Sequence, residues 1–180
     1  MKITSKETVY QGHYRLQVYT LNDQGEDIKR EVFQTGQAAS ALVYDTQKQK
    51  FIFVKQFRPA VEQDMVETVA GMLDSPDEKP ETAITREIEE EIGYAVDHLQ
   101  QLFEFYPSPG AFAEKLFLFY AEVSRKVSEG GGKDEEHEDI STLEVAPGEL
   151  AAQSFSDAKT LLAVEWAKQH LLPHLPASEG

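Results

Sequence analysis

There is no cysteine among the 180 residues, which excludes disulfide frameworks, thiolate zinc sites and cysteine nucleophiles and fits a reducing, cytoplasmic setting. Basic side chains are scarce: 17 Lys and Arg stand against 32 Asp and Glu, a formal net charge of −15. A chain this acidic repels phosphate backbones and anionic lipid surfaces, so nucleic acid and membrane are not expected partners. No run approaches the ~18 consecutive apolar residues of a membrane-spanning helix. The N-terminal MKITSKETVYQGHY lacks the apolar stretch of a secretory leader. What is there is 41% hydrophobic residues, enough for one ordinary domain with its own core.

The acids are unevenly spread. Residues 62 to 91 hold 11 acids against Lys79 and Arg86, a local charge of −9, and residues 133 to 139 (KDEEHED) add −4. These two stretches therefore carry nearly all of the net charge, and the rest of the chain is close to neutral.

Alternating β-formers at 14–20 and 28–35, separated by NDQGED, predict a hairpin. Further strands are expected at 38–44, 51–57, 65–72, 102–106, 116–123 and 140–145. A helix is predicted over 81–92, stopped by Gly93, a helical turn at 147–153, and a closing helix over 156–171 capped by Ser156 or Asp157. In that last helix Leu161, Leu162, Val164 and Trp166 are expected in the core. The triple glycine at 130–132 reads as a flexible loop. The expected class is α+β, a mixed sheet between helices.

On a helix advancing about 100° per residue, Glu87, Glu90 and Glu91 share one face, while Ile84, Ile88 and Ile92 form the neighbouring apolar strip. Three carboxylates held together on a packed helix repel one another, and hard oxygen donors of this kind suit Mg²⁺ or Mn²⁺. Arg86, four residues before Glu90, can pair with it. An EF-hand reading of the loop from Asp74 fails, because Pro76 and Lys79 fall where an oxygen ligand and a glycine are required.

Gly71-x6-Glu78-x7-Arg86-Glu87-Ile88-x-Glu90-Glu91-x-Gly93-Tyr94 closely resembles the signature of Nudix hydrolases. It departs from that pattern by one extra residue between Gly71 and Glu78, which leaves either Asp77 or Glu78 in the place of the first acid. Beyond this box, VKQFR at 54–58, the turn at 69–71 and Ser108–Gly110, with Pro109 sixteen positions after Gly93, resemble the branch that hydrolyses ADP-ribose and other nucleoside diphosphate sugars. The GGGKDEEHEDI and KREVF segments resemble in particular its GDP-mannose pyrophosphatase members.

The resemblance implies a Nudix α/β/α sandwich over 37–180 and a strand region over 1–36 used in homodimer and substrate contacts. It implies Mg²⁺-dependent hydrolysis of the pyrophosphate bond of a nucleoside diphosphate sugar. Glu87, Glu91 and the main-chain carbonyl of Ala70 would then be metal ligands, with Glu90 bridging or assisting. The general base would be Glu136 or Glu138. Arg58 would approach the diphosphate and Arg30 would hold the nucleotide, with Glu67 and the Ser108–Gly110 turn near the sugar. Tyr14, Tyr19 and Phe33 are aromatic candidates for stacking the base. A non-catalytic nucleotide-sugar sensor and a hydrolase of dinucleoside polyphosphates are the alternative readings; the intact glutamate triad opposes the first, and the Ser108–Gly110 turn the second.

Overall fold

Near-continuous apolar runs give each central strand two buried faces, and the computed structural model, which describes residues 1–132 and 140–175, builds a sheet covered on both sides. Strands β4 (Gln37–Asp45), β5 (Lys50–Arg58), β6 (Gln63–Glu67), β7 (Val69–Met72), β8 (Tyr94–Phe105), β9 (Lys115–Lys126) and β10 (Ser141–Val145) form it in the order β10-β5-β4-β9-β8, with β6 on β5 and β7 on β4. Only β4 and β9 pair in parallel. Ala39, Ala41 and Val43 of β4 face one apolar layer with Phe117 and Phe119, whereas Leu42 and Tyr44 face the other with Leu118 and Tyr120.

Helix α1 (Pro80–Glu87) covers the first layer through Ala83 and Ile84. Helices α2 (Pro147–Leu150) and α3 (Ala158–His170) cover the second through Leu150, Ala163, Val164 and Ala167. The class is α+β, as expected. In α3 the buried face is Thr160, Ala163, Val164 and Ala167, and Leu161, expected in the core, is 42% exposed. Among the described residues no helix is long and apolar enough to cross a membrane.

Strands β1 (Lys2–Gln11), β2 (Arg15–Asp23) and β3 (Glu26–Gln34) form a separate antiparallel sheet. The sequence signals the β2–β3 hairpin, but β1 lacks a clean apolar alternation and every one of its residues is exposed. This sheet is tied to the larger one at a parallel bridge between Phe33 and Phe112, where Phe33 donates to the Ala111 carbonyl (2.7 Å) and accepts from the Ala113 amide (2.9 Å).

Two local departures shape the site. The segment 65–72 is two strands, because β4 and β5 pair directly only at Val43–Asp45 and then splay. Strand β6 fills the fork against β5, strand β7 fills it against β4, and Thr68 is the residue between them. The segment expected as a helix to Ile92 changes to a π turn over Ile88–Ile92 before Gly93 ends it in a left-handed conformation (φ 77°). In an α-helix, residues spaced by four drift about 40° per step. A wider turn reduces that drift and lets Ile84, Ile88 and Ile92 all be fully buried.

Candidate active site

The π turn also sets the carboxylates. It swings Glu91 toward the apolar strip, where its side chain is only 3% exposed. Glu87, Glu90 and Glu91, together with Ala70, Gly71 and Arg58, line one cleft of about 830 Å³. Gly71 is required here by space rather than by dihedral angle: a Cβ built on it would run into the Glu87 carboxylate. The missing side chain is what lets that carboxylate lie against the β7 backbone.

Arg86 organises this wall. Its Nη1 donates to Glu87 Oε1 (2.6 Å) and Glu90 Oε2 (3.2 Å), and its Nη2 donates to the Met72 carbonyl (3.2 Å). Nη2 also lies 3.5 Å from Asp74 Oδ1 and 3.7 Å from Glu78 Oε1. Glu78 turns inward and accepts from the Asp74 amide (2.6 Å), whereas Asp77 is exposed. Of the two candidates for the first box acid, Glu78 is the one that approaches Arg86, and the exposed loop before it takes up the extra residue.

The glycines at 130–132, expected in a flexible loop, form a close cap on the π turn. All three have positive φ; the Gly131 amide donates to the Glu91 carbonyl (2.8 Å) and the Gly132 amide to the Glu90 carbonyl (3.1 Å). Those carbonyls end the turn and need partners from outside it. A Cβ on Gly130 would strike the Ile92 backbone, so only glycine permits this approach. Glu136 and Glu138, the expected bases, lie outside the described residues.

A second, cationic wall of the same cleft is assembled from distant parts of the chain. Glu67, 3% exposed, accepts both Nε (2.8 Å) and Nη2 (2.9 Å) of Arg58 and also the Lys159 ammonium. Lys159 lies 3.0 Å from Asp157 Oδ2 as well, and Arg58, Asp157 and Lys159 all line the cleft. Burial pushes the Glu67 carboxyl up, but the Arg58 hydrogen bonds and the Lys159 charge more than reverse this and hold it at about 2. Two cations therefore face the cleft around one ionised carboxylate.

Lys159 was not legible as a site residue, yet one signal pointed to it. A lysine in the first turn of α3 stands at the positive end of the helix dipole and needs acidic partners from elsewhere. Glu67, expected near the sugar, is not among the cleft-lining residues; both its oxygens are committed to Arg58 and Lys159. Arg30, Ser108 and Gly110 are likewise absent from the lining. Arg30 is exposed on β3, donating to the Lys29 carbonyl (2.9 Å), and the Ser108 carbonyl accepts from the Phe112 amide (3.1 Å) within its own turn. His13 and Tyr14, at the β1–β2 turn, do reach the cleft, and Tyr14 stacks toward Phe33 with ring centroids 5.7 Å apart.

Among the described residues no three carboxylates or imidazoles converge on one point as a ready ligand set. The donors available nevertheless suit a hard divalent cation: carboxylates of Glu87, Glu90 and Glu91, and the Ala70 carbonyl on the same wall. The Gly71 cradle supplies the close approach that such a site requires.

The NUDIX domain model matches residues 34–164. A GDP-mannose pyrophosphatase of Enterobacter sp. (strain 638) is 36% identical over 151 residues, 77% of this chain and 76% of that protein. One from Citrobacter koseri is 35% identical over 161 residues, 82% of this chain and 83% of that protein. A crystal structure of an ADP compounds hydrolase superposes with a TM-score of 0.77 at 20% identity, covering 96% of this chain and 97% of the other, and so shares the fold. With its box residues gathered on one wall of a cleft and its domain matched over most of its length, the chain belongs to the Nudix family.

Proposed function

We propose that the protein hydrolyses the pyrophosphate bond of nucleoside diphosphate sugars, with GDP-mannose, giving GMP and mannose 1-phosphate, as the first substrate to test and ADP-ribose, giving AMP and ribose 5-phosphate, as the second. The observation that carries this reading is a single cleft with a carboxylate wall at Glu87, Glu90 and Glu91 and a cationic wall at Arg58 and Lys159. A diphosphate needs both: cations for its oxygens, and hard ligands for the metal that accompanies it. The order of substrates follows the names of the relatives.

Glu87, Glu90, Glu91 and the Ala70 carbonyl would hold Mg²⁺, which when bound would supply charge neutralisation at the phosphates and activation of the attacking water. Arg86 neutralises part of the glutamate charge and fixes Glu87 and Glu90 from one side. Arg58, oriented by Glu67, and Lys159 direct donors at the substrate's anionic oxygens from the other. Tyr14 offers a ring to the base beside the same cleft.

Residues 1–36 act as a dimerisation region and residues 37–180 as the catalytic domain, in a cytoplasmic homodimer. Support comes from β1, whose ten residues are all exposed, and from Met1, Ile3, Val9 and Tyr10, large apolar side chains left on the outside. Arg30, exposed on β3 and not lining the cleft of its own chain, is then available to a second copy.

A panel of GDP-mannose, ADP-ribose, ADP-glucose, NADH, diadenosine polyphosphates and dNTPs, assayed with Mg²⁺ and with EDTA and resolved by chromatography, tests the reading. Nucleoside monophosphate plus sugar phosphate should appear only with metal. Turnover confined to polyphosphates or dNTPs, or none at all, overturns it.

A further inference from the structure

The fork between β4 and β5 is held open by a buried hydroxyl chain that the catalytic reading does not use. Thr68, between β6 and β7, has no ladder partner for its amide in either strand, and that amide donates to Thr160 Oγ1 of α3 (2.9 Å). Thr160 Oγ1 in turn donates to Asp157 Oδ2 (2.6 Å), and the same Oδ2 accepts the Thr160 amide (3.0 Å) as the α3 N-cap. Ser40 Oγ donates to the Val69 carbonyl (2.9 Å), so the Thr68 hydroxyl must be the donor in its 2.8 Å contact with Ser40. Ser40, Thr68 and Thr160 are each 0% exposed, and every hydroxyl proton has one acceptor.

We propose that Thr160 is a positioning residue that fixes the substrate cations Arg58 and Lys159. Its hydroxyl ties α3 to the strand switch, one residue from Glu67, whose carboxylate sets the Arg58 fork and receives Lys159. Asp157 closes the loop, bonding Thr160 and pairing with Lys159 at 3.0 Å. The cations come from β5 and α3, 101 positions apart in sequence, and the Thr68–Thr160 bond joins the strand switch beside Glu67 to α3 from behind. Loss of that bond strands a buried amide and frees α3 to move relative to β6, which loosens the cationic wall without touching the glutamate wall.

The inference rests on the nucleoside diphosphate sugar reading, and its test separates the two. In Thr160→Val, which keeps the shape and deletes the hydroxyl, KM for the cleaved sugar nucleotide should rise about 5–20-fold with kcat within about 2-fold. Thr160→Ser should restore wild-type values. If Thr160→Val does not fold, Thr160→Cys carries the same comparison with a weaker acceptor. Calorimetric affinity for ADP and GDP should fall by the same factor as KM rises, and this readout does not require turnover. An unchanged KM and affinity in folded Thr160→Val overturns the proposal, as does a loss confined to kcat or a failure of Thr160→Ser to rescue. If the wild type cleaves no sugar nucleotide, the catalytic reading falls while the binding measurement still decides the role of Thr160; if the wild type binds neither ADP nor GDP, both fall.

Discussion

The two walls of the cleft are built on opposite plans. The acidic wall is local: Arg86, Glu87, Glu90 and Glu91 lie within one and a half turns of chain, and their mutual contacts are set by helical spacing and the π turn. The cationic wall joins Arg58 of β5, Glu67 of β6 and Lys159 of α3, which meet only because the sheet forks and α3 packs against the fork. The acidic wall resists repulsion with an arginine and, on the proposed reading, with the divalent cation its carboxylates would hold. The cationic wall resists it with one buried carboxylate shared by two cations. Changes on the first wall should therefore remove chemistry, and changes on the second should weaken binding or stability.

The sharpest break is Glu91→Gln. It deletes one carboxylate of nearly identical shape at a position 3% exposed, so Mg²⁺-dependent turnover should fall by at least about 10³-fold while the melting temperature holds or rises as repulsion is relieved. Activity within a few-fold of wild type would detach the acidic wall from catalysis. Gly71→Ala comes next. Its backbone is not in the left-handed region, and the atoms a Cβ would meet belong to the Glu87 side chain rather than to backbone, so the fold should survive with that side chain displaced. Displacing that carboxylate should cost about 10²-fold in activity and raise the Mg²⁺ concentration needed for half-maximal rate. A Gly71→Ala protein with normal metal dependence would show that the cradle is incidental.

The same contrast explains what could be read from the sequence. The glutamate face, its arginine and the Gly93 stop were legible because they follow from spacing within about a dozen residues. The π turn was not, since the same Ile84, Ile88, Ile92 spacing also describes an ordinary helix. The strands of the main sheet were visible in the β-forming apolar runs at 38–44 and 116–123, but the break at Thr68 was not, because MVETVAGM reads as one run of β-formers ending in a glycine turn and only the splaying of β4 from β5 creates it. Glu67 is placed near the sugar or metal only by resemblance; the side chains it pairs with here lie 9 and 92 positions away, where sequence spacing gives no signal. The capping role of the glycine triplet was hidden for a related reason: composition records only a loop, while the use of Gly131 and Gly132 as a cap for Glu90 and Glu91 depends on a second segment.

The smallest expected effect tests the cationic wall by pH. The Glu67 carboxyl is held at about 2 in the folded protein against an ordinary value of 4.5. A depressed acid contributes stability that is fully present above its unfolded value and is lost as pH falls through the folded one. The contribution should therefore be intact at neutral pH and fade between about 4.5 and about 2. Glu67→Gln removes it, leaving Arg58 without its carboxylate and Lys159 with Asp157 alone, a loss of about 3 kcal/mol at pH 7. The other acids of the chain titrate in both proteins, so the difference between their denaturant midpoints isolates this one group. That difference should be largest at neutral pH and narrow as the pH is lowered below 4.5. A gap that stays constant across the window would mean that Glu67 acts through packing rather than through charge, and the two walls would then differ in what they bind but not in how they are held.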